Sequence, residues 1–417
     1  MGLNDTPSGE RLHIGLFGRR NAGKSSLMNA ITGQDMSIVS DTPGTTTDPV
    51  SKAMEILPLG PVMLIDTPGL DDVGNLGSER VNKAKEALRK CHLVLVVVDV
   101  LSLQDNNLSE YERTFIDELK KSSTPYIICI NKCDLRDADY DSIKRTVSSE
   151  EVALESTICV SAKTGLGVNE LKELIAKKAT NSANDGSNEI FPSKRLIGDI
   201  VSEGEIAVLV VPIDESAPKG RLILPQQQTI RDLLESGAIA VVCRETELSE
   251  TLGKLSEKPK VVITDSQAFG IVSKIVPDDV YLTSFSILMS RYKGDFDWQY
   301  EGVKALDEIE DGAKILISEG CTHHRQCGDI GTVKLPAWIK RYTGKDFEYC
   351  FTSGGEYPND LTQYKLIIHC GGCTLNDKEM KYRIEAAKEA KVPITNYGMC
   401  ISYMNGILDR SIEIFNV

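Results

Sequence analysis

The sequence predicts an α/β protein in three domains, and three observations carry that reading. A strand-like run, Leu12 to Phe17, feeds a glycine-rich loop and then a helical pattern through Thr32. Short apolar runs alternate with helical stretches along the rest of the chain, the spacing of β–α–β units and of mainly parallel sheets. A polar stretch, Asn181 to Asn188, holds almost nothing that a core could use, so it reads as a linker. The expected domains are 1–180, 189–275 and 276–417.

Composition sets bounds. The 417 residues are 41% hydrophobic and 26% charged, as in ordinary globular proteins. The longest apolar runs, such as Leu93 to Val98, have the length of a buried strand, far short of a bilayer span. A net charge of −14 disfavours a nucleic-acid surface, which needs concentrated positive charge, and it suits protein partners. Eleven cysteines without an apolar leader point to reduced thiols in the cytoplasm, some of them metal ligands.

The first domain carries its chemistry in contiguous motifs. Gly18 to Ser25 reads G-x-x-x-x-G-K-S in a strand–loop–helix context. There the amides of Asn21, Ala22, Gly23, Ser25 and Ser26 can wrap phosphates, Lys24 can reach the β- and γ-phosphates, and the Ser25 hydroxyl can bind Mg²⁺. Thr45, Thr46 and Thr47 lie in a polar loop, with the Thr46 hydroxyl suited to completing the Mg²⁺ shell. The strand Val62 to Ile65 ends in Asp66-Thr67-Pro68-Gly69, where Asp66 would support the metal and the Gly69 amide would meet the γ-phosphate. The strand Tyr126 to Ile130 ends in Asn131-Lys132-Cys133-Asp134, whose carboxylate can accept paired hydrogen bonds from guanine N1 and N2. Adenine offers no such donor pair, so GTP is selected over ATP. Ser161-Ala162-Lys163, after the strand Thr157 to Val160, places backbone near guanine O6. The expected activity is GTP hydrolysis to GDP and phosphate. The catalytic set is Lys24, Thr46, Asp66 and Gly69.

The middle domain has no chemical motif. Its strands are expected at Gly204–Pro212, Ile239–Cys243 and Lys260–Thr264, with helices between them. They are more apolar than so small a unit needs, which fits either a dimer interface or an ordinary core.

The last domain concentrates soft ligands. A strand at Lys314–Ser318 precedes Glu319, Gly320, Cys321, Thr322, His323 and His324, and a strand at Tyr364–His369 runs into Cys370, Gly371, Gly372 and Cys373. Ligands in open parallel sheets collect outside the carboxyl ends of strands, so both clusters can converge on one crevice. Thiols and imidazoles in these spacings suit a structural zinc held by Cys321, His323, Cys370 and Cys373, or an iron–sulfur cluster on the three cysteines with His323, His324 or His369 at the fourth position. Spacing leaves both open. Cys327, Cys350 and Cys400 read as core thiols.

Residues 10–180 resemble the TrmE–Era branch of GTPases in the order and wording of their motifs. That resemblance implies that Asn21, which matches the P-loop asparagine of potassium-activated relatives, helps bind K⁺. Leu70 stands where many GTPases carry a water-orienting glutamine, so the expected hydrolysis is slow and faster in K⁺ than in Na⁺. Thr47 stands where relatives often carry arginine.

A GTPase, a motif-free middle domain and Cys-x-His … His-Cys-x-x-Cys together resemble HydF, the family of FeFe-hydrogenase maturation GTPases. The resemblance spans essentially the whole chain. It implies a dimerisation domain in the middle and an iron–sulfur-binding domain at the end, with a 4Fe–4S cluster on Cys321, Cys370 and Cys373 and with His323 and His369 as candidate fourth ligands. It also implies a scaffold role. A diiron precursor made by the maturases HydE and HydG would be received and passed to apo FeFe-hydrogenase. The competing functions are a regulatory or RNA-modification GTPase with a structural zinc, and a redox-sensing GTPase switch.

Overall fold

The computed structural model describes residues 6–33, 49–57, 59–69, 83–103, 105, 107–136, 139–148, 154–184, 195–213, 222–321 and 329–416. The chain forms two compact units, 1–193 and 194–417.

The first unit is built on a six-stranded sheet. Its strands are β1 (Leu12–Phe17), β2 (Val50–Ile56), β3 (Gly60–Asp66), β4 (Leu93–Asp99), β5 (Tyr126–Asn131) and β6 (Thr157–Cys159), in the order β2-β3-β1-β4-β5-β6. All pairs are parallel except β2 with β3. The apolar runs explain this layout, since a parallel strand is covered by helices on both faces and has no side for polar residues. Leu93 to Val98 is buried throughout. Strand β2 has no counterpart among the expected strands, because its side chains are largely exposed and carry little periodic signal.

The second unit holds two four-stranded parallel sheets. Strands β7 (Ile206–Val210), β8 (Ile239–Cys243), β9 (Val261–Thr264) and β10 (Tyr281–Ser284) are ordered β10-β9-β7-β8. Strands β11 (Lys314–Ser318), β12 (Glu348–Thr352), β13 (Leu366–His369) and β14 (Ile394–Asn396) are ordered β12-β11-β13-β14. The segment 276–294, which the sequence reading groups with the third domain, supplies β10 and the helix Phe285–Lys293 to the second sheet instead. Tyr-Leu-Thr-Ser is too short to announce a partner.

One core runs from β7 and β9 through the helix residues Phe269 and Ile287 to β11, β13 and the helix Tyr397–Met404. The two sheets of this unit are therefore packed as one body. At its edge, β8 leaves Ile239 and Val242 roughly half exposed.

In the third sheet the chain leaves β11 toward β12 on one side and returns to β13 on the other. The crevice outside the ends of β11 and β13 is thus a topological switch point, the usual ligand position in such sheets. Cys321 follows β11 and Cys370 follows β13.

Candidate nucleotide and iron–sulfur sites

In the first unit, the P-loop joins β1 to the helix Lys24–Thr32. Gly23 caps that helix at φ +90°, and a β-carbon there would stand 2.3 Å from Asn131 Nδ2. Only glycine meets both demands. Asn21 also takes a left-handed conformation, with φ of +63°. Lys24 is buried, and its ammonium donates to the carbonyls of Gly18 and Arg19 at 2.9 Å each, which folds it over the loop that phosphates would enter. Ser25 donates its hydroxyl to Asp66 Oδ2, while Asp66 Oδ1 is buried with no hydrogen-bond partner among the described residues. Burial raises the Asp66 pKa against the lowering pull of Ser25 and Lys24. A carboxylate oxygen left bare beside a serine hydroxyl fits a hard cation such as Mg²⁺.

The guanine motifs are knitted to the P-loop. Asn131 donates from Nδ2 to the Ala22 carbonyl at 2.9 Å and accepts the Ala162 N–H at Oδ1 at 3.1 Å. Asn131 is thereby a strut between two loops, and the Ala162 amide serves that strut. Ser161 donates to Asp134 Oδ1 at 2.6 Å, fixing the carboxylate. Lys132 pairs with Asp99 at 2.6 Å. Gly69 and Lys163 lie at the ends of their segments, the first half-buried and the second exposed. Thr46, with Thr45, Thr47 and Leu70, lies outside the described residues.

In the second unit, Cys321, Cys370 and Cys373 are all partly buried at the switch point. Burial pushes the Cys321 thiol up to about 12, and the Cys370 and Cys373 sulfurs add to the shift, as neighbours of like charge do. Cys370 is pushed up to about 11 by burial, against two backbone donors. Its sulfur accepts the Gly320 N–H at 3.1 Å and the Gly372 N–H at 3.4 Å. Gly372 holds φ +64°, and a β-carbon there would stand 2.6 Å from Met380 Sδ. Three neighbouring thiols, with amides aimed at a sulfur, fit an iron–sulfur cluster, whose ligands become thiolates and gain from N–H···S bonds. Among the described residues, no three His, Cys, Asp or Glu side chains are gathered to hold a single metal ion.

His369, an expected ligand, is engaged by the protein itself. It is fully buried, and both ring nitrogens are taken. Arg383 donates from Nη1 to Nε2 at 3.0 Å, and Nδ1 lies 2.7 Å from the Cys370 carbonyl. Arginine can only donate, so Nε2 is the acceptor and Nδ1 carries the proton. Burial first, then the guanidinium, holds the imidazole pKa down to about 3. His369 meets Cys370 through the backbone, and in this arrangement both of its nitrogens are engaged within the protein. His323, with His324 and Cys327, lies outside the described residues. Cys400 is a core thiol, fully buried and raised to about 12 by desolvation.

Arg383 carries no motif in the sequence. From the helix Asp377–Glu389 it reaches Glu379 at 3.0 Å, Ser318 Oγ at 3.2 Å, the Gly354 carbonyl at 2.7 Å and His369, all without solvent exposure. It ties together the ends of β11 and β13, the strands that deliver the cysteines, and the segment that follows β12.

Comparison with known proteins agrees with this division. Residues 13–132 match the family model described as 50S ribosome-binding GTPase, and the first unit is a GTPase domain. Residues 196–294 match the hydrogen maturase F dimerization domain and 297–414 its tetramerization domain. GTPase Der of Wolinella succinogenes is 35% identical over 184 residues, covering 43% of this chain and 38% of that protein. GTPase Era of Caldicellulosiruptor saccharolyticus is 32% identical over 165 residues, covering 39% of this chain and 54% of its own length. The chain thus spans about half or less of these two relatives. Among solved structures, a variant of Aquifex aeolicus Era bound to GDP.AlF4- has 18% identity and a TM-score of 0.35, covering 58% of this chain and 98% of that one. The two hydrogen maturase F models together match just over half of the 417 residues, in order behind the GTPase domain, and the chain belongs to the hydrogen maturase F family.

Proposed function

We propose that the chain is a GTP-hydrolysing scaffold of FeFe-hydrogenase maturation. It would receive a diiron precursor from HydE and HydG and deliver it to apo FeFe-hydrogenase, working as a homodimer or larger oligomer in the cytoplasm. The observation that carries this reading is the trio Cys321, Cys370 and Cys373 at a switch point, within domains of the hydrogen maturase F type.

In the first unit, Lys24 and the P-loop amides of Asn21 to Ser26 bind the phosphates. Ser25, Asp66 and Thr46 serve Mg²⁺, and the Gly69 amide senses the γ-phosphate. Asp134, braced by Ser161, selects guanine, while Asn131 holds the base loop against the P-loop. Asn21 would help place a K⁺ that does the electrostatic work of an arginine finger. Turnover is expected to be faster in K⁺ than in Na⁺, and equal rates would remove this part of the proposal.

In the second unit, the three cysteines would hold a 4Fe–4S cluster, which supplies one iron with an exchangeable position for the incoming diiron unit. Gly320 and Gly372 donate to the Cys370 sulfur, and His369 fixes the loop. His323 is a candidate for the fourth position. Nucleotide state at Thr46 and Gly69 would control partner association.

The test is iron, sulfide and zinc content of anaerobically purified protein, with its visible and EPR spectra. About four irons and four sulfides per chain, lost in a Cys370→Ala Cys373→Ala variant, are expected of a 4Fe–4S site. One tightly held zinc and a colourless sample, even after reconstitution with iron and sulfide, would sink the proposal.

A further inference from the structure

The cysteine loop is not held by its own sheet alone. The helix Phe285–Lys293 follows β10, and its Phe285, Leu288 and Met289 pack into the core formed with β7 and β9. The same helix is the floor of the loop. A β-carbon on Gly371 would stand 3.4 Å from Met289 Cβ. The Ser286 carbonyl accepts Asn396 Nδ2 at 2.8 Å, and its hydroxyl accepts the Gly398 N–H at 3.1 Å. At the end of the helix, Lys293 is only 3% exposed. Its ammonium donates to the Leu375 carbonyl at 2.9 Å and the Cys373 carbonyl at 3.4 Å.

Burying an ammonium is costly, and an apolar side chain would fill the same space without that cost. At this place the charge does two things that methionine cannot. It orients carbonyls of the loop that carries Cys373, and it brings a positive charge to the backbone of a cysteine whose sulfur would become a thiolate when the site is loaded. Local charge and outer hydrogen bonds are established levers on the affinity and reduction potential of a metal centre.

We propose that Lys293, from the helix that completes the second sheet, is a positioning residue for the iron–sulfur site. It holds the Cys373–Leu375 backbone and favours the more negative, reduced state of the cluster. This rests on the cluster assignment made above and adds that the third sheet alone does not complete the site.

The test uses the full-length chain, reconstituted anaerobically with ferrous iron and sulfide, as wild type, Lys293→Met, Lys293→Gln and Lys293→Arg. Iron release to a chelator and the midpoint potential by EPR-monitored titration are read. GTP turnover and circular dichroism serve as folding controls. In Lys293→Met iron release is expected to be at least about tenfold faster, the usual scale for losing an outer-shell partner. Its potential falls, and Lys293→Arg returns the potential toward wild type. Lys293→Gln keeps a donor without the charge, so it should lower the potential even if the methionine variant folds poorly. Wild-type potential and release in the methionine and glutamine variants would overturn the proposal, as would an arginine variant shifted as far as the glutamine one. A wild-type protein that takes up no iron would instead overturn the cluster assignment, and this proposal with it.

Discussion

The nucleotide site and the cysteine site occupy the same place in two different sheets, outside the carboxyl ends of parallel strands. They differ in how the sequence builds them. The nucleotide site is made of contiguous segments whose own backbone does the binding, so each motif contains most of its geometry. Asn131 is the exception, a strut that reaches across to Ala22. The cysteine site takes its sulfurs from two segments and its rigidity from elsewhere: Arg383 on one helix, Lys293 on another, His369 between them. A local site tolerates change in its surroundings, and a distributed one does not.

The sharpest way to break that comparison is Arg383→Met. Removing one member of a buried ion pair and network costs about 3–5 kcal/mol, because the partners stay buried. Glu379, His369 and the Gly354 carbonyl would all lose their guanidinium. Chemical unfolding should show the loss in the second unit, with GTP turnover at low denaturant unchanged; a matched loss of turnover would mean that the sites are not independent. Lys24→Ala is the converse. Turnover should drop by about 100-fold or more, the scale of losing a preorganised charge at a reacting phosphate. Iron content per chain should stay at the wild-type value, as measured on the same preparation.

Smaller effects sharpen the picture. Asn131→Ala removes the strut between Ala22 and Ala162, and guanine-nucleotide affinity should weaken by about 10- to 100-fold, as for one or two buried hydrogen bonds. Calorimetric titration with GDP measures it, and an unchanged affinity would show that the loops hold themselves. Gly372→Ala forces a left-handed residue and meets Met380, a cost of about 1–2 kcal/mol. It should appear as slower iron loading with normal nucleotide binding.

The two regions were legible in the sequence to different depths. The strands β1, β5, β11 and β13 sit within a residue or two of where the apolar pattern puts them. The P-loop could be read whole because its meaning is local. Arg383 could not. It stands four residues after Glu379, as Lys381 stands four after Asp377, yet one pair is buried and the other is a surface pair at 3.4 Å. Met380, Ile384 and Ala387 mark the buried face and Arg383 lies on it, but nothing in Asp377–Glu389 says which partners a charge there would meet. For the same reason His369 reads as a ligand by its position next to Cys370. Its role as an acceptor for Arg383 depends on a residue fourteen positions away. Membership of β10 in the second sheet likewise depends on β9 lying beside it.

The exposed β8 edge also predicts how the protein ages in a tube. A strand edge with Ile239 and Val242 turned outward is adhesive, and it does not distinguish well among partners. Loss of clear solution on storage should then depend on the square of chain concentration, and a single lysine at Val242 should slow it. The bench consequence is that dilute samples keep and concentrated ones cloud, with the fold itself intact.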